Sequence, residues 1–137
     1  MKIYIIASRY NYHRIEEIKK ELENRGHIIT LPNCFDDPFL EERIKLEKDQ
    51  EKHQKFKAEN YLLQRKKVSD IDAVLVINFQ KNNIPNYIGG ATFLEMYEAF
   101  MQNKKIFMYN PIPDGILKDE IIGFNPIIIN GNIDLIK

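Results

Sequence analysis

Residues 68–110 read VSDIDAVLVINFQKNNIPNYIGGATFLEMYEAFMQNKKIFMYN, and this stretch determines the fold. The apolar run at 73–77 predicts a buried strand, and the loop that follows it is rich in Asn and Gly. Apolar side chains recur at helical spacing over 91–103, and a second apolar run follows at 106–109. A strand, helix and strand in this order normally form a right-handed crossover between parallel strands. Open α/β folds bind ligands at the carboxyl edge of such strands.

The sequence on either side adds further strands and helices. Apolar runs at 3–7 and 27–31 predict two strands, joined by a helix whose apolar residues end before Gly26. Beyond the loop after residue 110, we expect a short helix at 117–122 and a last strand at 126–129. Five short strands that alternate with helices predict a mostly parallel sheet covered on both faces.

The long polar segment before residue 68 predicts two helices. Asp36 and Asp37 stand before Pro38, a combination typical of a helix start. Residues 47–55 contain no large apolar side chain, which favours a break between two helices, or else a projecting hairpin. Apolar residues return after this gap, so the second half should pack on the sheet.

These elements predict a single domain over residues 1–137. We expect a flavodoxin-like, doubly wound α/β fold with strand order 2-1-3-4-5. The loops after the first and third strands should then face one another across a crevice.

Composition excludes several classes of partner. Twenty basic and twenty acidic residues cancel, so we expect no polymeric nucleic acid and no membrane surface as a partner. No apolar run approaches the ~20 residues of a transmembrane helix, and the short run at 3–7 does not resemble a signal peptide. Cys34 is the only cysteine, so no internal disulfide can form, and we expect a soluble, cytoplasmic protein.

The predicted crevice collects polar and glycine residues. Gly89 and Gly90 precede a helix, where missing side chains let an anion reach backbone N–H groups, although glycines there are often only turn residues with positive φ. The predicted substrate-binding residues are Ser8, Arg9, Asn78, Gly89, Gly90, Thr92 and Asn110. Tyr10 and Tyr12 are candidates to stack on a base.

Glu95 is the candidate catalytic residue. It lies one turn into the helix that follows Gly90, close enough to the crevice for its carboxylate to act as a nucleophile. An ordinary surface helix is the competing interpretation, because polar and apolar residues lie on opposite faces. The polar face holds Thr92, Glu95, Glu98 and Gln102, and the apolar face holds Phe93, Tyr97, Phe100 and Met101.

Neither a metal nor a cofactor is expected. His13, His27 and His53 are scattered and, with one cysteine, match no zinc spacing. The glycine patterns of dinucleotide-binding folds and P-loops are absent, so no cofactor is predicted.

Two motifs carry a family resemblance. DAVLV at 72–76 is followed by GATFLEMYEA at 90–99, and together they resemble the nucleoside 2-deoxyribosyltransferase-like family, which includes deoxynucleoside-monophosphate N-glycosidases. The resemblance implies a homodimer and a glutamate that forms a covalent deoxyribosyl intermediate, and by position that glutamate is Glu95. Similarity is greatest to a branch of the family carrying NYIGG at 86–90, FLEM at 93–96, NPIP at 110–113 and DEI at 119–121.

The chain departs from the family pattern at the second catalytic position. Family members carry an Asp there, and this sequence has Gln64, which cannot transfer a proton. The leading hypothesis is cleavage or deoxyribosyl transfer at the N-glycosidic bond of a nucleoside or nucleotide, with Glu98 or a neighbouring subunit as a possible source of the acid. The alternatives are a catalytically silent nucleotide-binding module of the same fold and a scaffold protein that binds a partner through its polar helix.

Overall fold

A five-stranded, all-parallel sheet forms the centre of the molecule, and its strand order is β2-β1-β3-β4-β5. The computed structural model describes residues 1–137. The strands are β1 (Lys2–Ala7), β2 (Ile28–Thr30), β3 (Ala73–Ile77), β4 (Lys105–Met108) and β5 (Ile127–Ile128). The predicted α/β fold and strand order are confirmed, and the architecture is flavodoxin-like.

Helices cover both faces of the sheet. They are α1 (Ile15–Asn24), α2 (Leu40–Leu46), α3 (Gln50–Ser69), α4 (Gly90–Met101) and α5 (Lys118–Gly123), with 3₁₀ helices at Arg9–Arg14 and Ile133–Leu135. One apolar core lies between the sheet and α1, and includes Ile5, Leu22 and Leu75. A second lies between the opposite face and α3, α4 and α5, and includes Val68 and Met96. None of the helices is long and apolar enough to cross a membrane.

Local sequence signals set most of the helix ends. Gly26 follows the end of α1 with a φ of 86°, the left-handed conformation in which glycine commonly ends a helix. The predicted break between two helices is confirmed, because α2 ends at Leu46 and Asp49 caps α3 by accepting a hydrogen bond from the Lys52 N–H at 3.1 Å. The predicted cap at Asp36 and Asp37 is wrong.

The helix that follows Pro38 begins later than predicted. α2 starts at Leu40, and no side chain caps its first turn. The Asp37 carboxylate binds the Arg43 guanidinium through both oxygens instead. A bidentate charge-assisted pair satisfies that carboxylate, so it is not available to the helix N–H groups.

The central strands bring distant loops to one edge. In the register of β1 and β3, Ile3 lies opposite Ala73 and Ala7 lies opposite Ile77, so both strands end at the same level. Asp72 lies at the other end of β3, where its carboxylate accepts a hydrogen bond from the Lys2 N–H at 2.7 Å. The segments after Ala7 and Ile77 therefore share the carboxyl edge with the start of α4.

Candidate active site

A cavity of about 640 Å³ opens at the carboxyl edge of the sheet. Its walls come from the segment after β1, the segment after β2 with α2, one face of α3, and the start of α4. The lining residues are Ala7, Ser8, Arg9, Tyr12, Asn33, Cys34, Pro38, Glu41, Lys45, Phe56, Lys57, Asn60, Tyr61, Gln64, Lys81, Tyr87 and the stretch from Gly89 to Glu95. The volume is within the range of small-molecule sites.

Glu95 lies in the wall of this cavity and is 9% exposed. The Tyr4 hydroxyl, from the middle of β1, donates a buried hydrogen bond to the Glu95 carboxylate. A tyrosine in a strand buried on both faces needs a partner for its hydroxyl, and Glu95 supplies it. The carboxylate is thereby held in one orientation beside the cavity.

Burial raises the pKa of Glu95 to about 7, although the hydrogen bond from Tyr4 and the Lys67 and Lys57 ammonium groups act in the opposite direction. Burial also lowers the pKa of Lys67, which donates to the Leu31 carbonyl at 2.9 Å. Tyr4 stays protonated, because burial and then the adjacent Glu95 raise its pKa. Glu95 is therefore a carboxyl group that titrates close to neutral pH.

The surface-helix interpretation of residues 91–103 is wrong for the first part of α4, because two residues of the polar face, Thr92 and Glu95, are buried. By contrast, Tyr97 is 48% exposed and Met101 is 57% exposed. The cavity borders the start of this helix, so these two polar side chains face the interior beside the apolar core. Glu98 lies outside the cavity, where its carboxylate contacts Arg65 Nε at 3.2 Å and accepts from Gln102 Nε2 at 2.7 Å.

Gly89 and Gly90 line the cavity at the start of α4, and neither has positive φ. A Cβ at Gly90 would meet no atom within 4 Å, whereas one at Gly89 would lie 3.3 Å from the Tyr87 hydroxyl. No side chain caps the first turn of α4. Neither backbone conformation nor packing thus requires glycine at position 90.

Arg9 lines the cavity, but carboxylates of α2 already bind its guanidinium. It pairs with Glu42 and lies 3.6 Å from a Glu41 oxygen. Glu41 also contacts His53 Nε2 at 2.8 Å and Lys57 Nζ at 3.3 Å. Despite its partial burial, these contacts lower the pKa of Glu41, so this carboxylate is ionised and cannot act as an acid at neutral pH.

Asn78 and Asn110 do not line the cavity, and they bind each other instead. The Asn78 amide nitrogen donates to the Asn110 and Pro111 carbonyls, each at 3.0 Å. The Asn110 N–H donates to the Asn78 side-chain oxygen at 2.8 Å, and the Asn110 amide donates to the Asn78 carbonyl at 3.2 Å. This pair joins the ends of β3 and β4 below the site.

The aromatic residues predicted to stack on a base differ in position. Tyr12 lines the cavity and donates to the Asn33 carbonyl at 3.2 Å, whereas Tyr10 packs against Phe39 with ring centroids 5.8 Å apart. At the rim, the Lys81 ammonium lies 4.2 Å from the Tyr10 ring centre and 4.6 Å from that of Tyr87. The Lys81 ammonium therefore lies against rings from both the β1 and β3 loops.

Of the α3 residues that line the cavity, the sequence singled out only Gln64, through the family resemblance. Phe56, Asn60 and Gln64 are four residues apart and line the cavity, together with Lys57 and Tyr61. The spacing of these residues is the signal in the sequence that could have indicated the others. No group of three or more His, Cys, Asp or Glu side chains is arranged to hold a metal ion.

No protein-family model, curated protein or solved structure matches the chain.

Proposed function

We propose that the cavity binds a nucleoside or nucleotide and that the protein cleaves or transfers its N-glycosidic bond through Glu95. One observation carries the proposal: a buried carboxylate, oriented by the Tyr4 hydroxyl, lies in the wall of a cavity large enough for such a ligand. A carboxylate so held is suited to nucleophilic attack on a sugar.

The reaction has two steps. The Glu95 carboxylate attacks the anomeric carbon, forming a glycosyl ester while the bond to the base breaks and its electron pair leaves with the base. Water or a second base then attacks the same carbon and releases Glu95, as in a retaining glycosidase. Only the ionised carboxylate can attack, so the reaction uses the fraction of Glu95 that is deprotonated.

Candidate substrate-binding groups line the same cavity as this carboxylate. Ser8 offers a hydroxyl, Thr92 a second one, and the uncapped start of α4 at Gly89 and Gly90 offers backbone N–H groups to an anionic part of the substrate. Arg9 shapes the cavity through its pairs with α2. Asn78 and Asn110 support these loops from outside the cavity.

A catalytically silent nucleotide-binding module is the second candidate. Two observations favour it: burial keeps a large part of Glu95 protonated at neutral pH, and the cavity presents Gln64 where the resemblance implies an acid. Such a module would bind the same ligands and release no base.

Incubation with deoxynucleosides and their 5′-monophosphates separates the two candidates. The enzyme releases free base, which chromatography detects. The silent module releases none, but its ligands raise its melting temperature by mass action. If no base is released and none of these ligands raises the melting temperature, both candidates are overturned.

We also propose that the protein forms a homodimer through α4. Tyr97, Phe100 and Met101 form an exposed apolar face on this helix. Phe124 extends this face, because its ring packs against Phe100 with the centroids 5.6 Å apart. Contiguous exposed apolar surface of this kind is typical of an interface. A second copy of the chain can cover the face symmetrically.

A further inference from the structure

Gln64 is a buried polar residue with no partner in the protein. It is 7% exposed and lines the cavity, and its amide makes no hydrogen bond to any side chain or backbone group. Its oxygen and nitrogen are not sealed inside the protein, so both remain reachable from the cavity. Because buried polar groups are almost always hydrogen-bonded, an amide without a protein partner that opens on a cavity is free to pair with a bound ligand.

The cavity that Gln64 lines can hold a flat ring. Phe56 and Tyr61 line it from α3 and offer aromatic surface. Thr92, on the wall formed by α4, is 4% exposed and its hydroxyl also has no protein partner. A planar heterocycle bound in this cavity can meet aromatic rings and uncharged polar groups, and charged side chains such as Lys57 line the same cavity.

The chemistry of an amide limits what it can bind. Glutamine presents one donor group and one acceptor side by side and does not ionise, so it pairs with an edge that carries an acceptor beside a donor. The edges of nucleobases have this arrangement, and a glutamine amide binds adenine through two hydrogen bonds.

We infer that Gln64 recognises the hydrogen-bonding edge of the nucleobase, an inference that rests on the proposed function. In catalysis the same contact stabilises the departing base by hydrogen bonding, without transferring a proton. Gln64 is then a specificity-determining residue of the site.

Free bases test this inference without any turnover. Adenine and hypoxanthine are compared with unsubstituted purine, and cytosine and uracil with 2-pyrimidinone, by calorimetric titration of the wild type and of Gln64→Met. Purine and 2-pyrimidinone are the analogues, and each lacks one exocyclic amino or carbonyl group that the matching bases carry on their hydrogen-bonding edge. Methionine keeps the length of the side chain and its helix propensity while removing the amide. Gln54→Met, at an exposed position on the same helix, is the matched control.

We expect the wild type and Gln54→Met to bind at least one base about tenfold more tightly than its analogue, and Gln64→Met to lose this preference. The preference is a ratio within one protein, so a partial loss of folded Gln64→Met does not alter it. An unchanged ratio in Gln64→Met overturns the inference, as does the absence of binding by every base.

Failure of the proposed function gives a different result. In that case the wild type releases no base from any nucleoside or nucleotide, while the Gln64-dependent preference among free bases persists. Conversely, base release with an unchanged KM in Gln64→Met leaves the glycosidase proposal standing and removes Gln64 from recognition.

Discussion

The Tyr4 hydroxyl donates a buried hydrogen bond to the Glu95 carboxylate, joining β1 to α4 across 91 positions of sequence. The contact links an interior strand of the sheet, β1, to the helix that borders the cavity. Because both residues are buried, the bond fixes the position of the carboxylate and moderates its pKa. The pH dependence of the protein should therefore report on this pair.

Base release should depend on pH through Glu95. Since the attacking form is ionised and burial raises the pKa of Glu95 to about 7, kcat/KM should rise as pH increases through about 7. Tyr4→Phe removes a hydrogen bond that favours the ionised form, so this rise in kcat/KM should move to higher pH. Tyr97→Phe, at an exposed position on α4, is the control and should leave the profile unchanged. If kcat/KM rises at the same pH in Tyr4→Phe as in the wild type, this pair does not control activity.

The free energy of unfolding should fall as pH rises, whereas kcat/KM should increase. The pKa of Glu95 is raised from its ordinary value of 4.5 to about 7 in the folded protein. Its stabilising contribution is therefore fully present below pH 4.5 and is lost as pH rises through 7. Glu95→Gln removes this dependence. Relative to the wild type, its free energy of unfolding should gain roughly 3 kcal/mol between about pH 4 and pH 8, measured by urea denaturation. A constant difference between the two proteins would contradict the assigned pKa.

The Asn78 amide should matter for stability rather than for binding. Asn78→Ala removes the donors to Asn110 and Pro111 and leaves the partly buried N–H of Asn110 without its acceptor. We expect a loss of about 2–4 kcal/mol in the free energy of unfolding. Asn24→Ala, at the exposed end of α1, should change it by less than about 0.5 kcal/mol. Equal losses of unfolding free energy in both variants would contradict a structural role for Asn78.

The apolar face of α4 predicts how the dimer can be broken. Phe100→Glu places a charge in the proposed interface, so light scattering should give the mass of one chain, while the wild type gives twice that mass. Ile116→Glu changes another exposed apolar residue, which is 96% exposed outside α4, and should leave the dimer intact. A wild type that is monomeric at micromolar concentration would contradict the proposal.

The fold could be predicted because its signals are local. The apolar runs and the return of apolar spacing after residue 55 each act within a few residues and predict the strands and helices. The strand order follows from the alternation of these elements, which is typical of a doubly wound sheet. The cap predicted at Asp37 is wrong, because Arg43 binds its carboxylate, and this pairing could not be predicted from the sequence. The location of the candidate site was predicted in part, since Ser8, Arg9, Gly89, Gly90, Thr92 and Glu95 line one cavity.

The remaining site residues depend on contacts between distant elements. Asn78 and Asn110 lie at the expected edge, but only the folded chain shows that their amides bind one another. The pairing of Tyr4 with Glu95 likewise depends on how α4 packs on the sheet. A polar side chain in an apolar strand was the one signal in the sequence that could have indicated Tyr4.

The most direct test of the central claim is the rate of base release by Glu95→Gln compared with the wild type at about pH 8, where the wild-type carboxyl group is mostly ionised. Glu98→Gln provides the control, because Glu98 is on the same helix but outside the cavity. We predict that Glu95→Gln loses roughly 100-fold or more of the rate while Glu98→Gln retains most of it. Equal base release by Glu95→Gln and the wild type would contradict the assignment of Glu95 as the nucleophile.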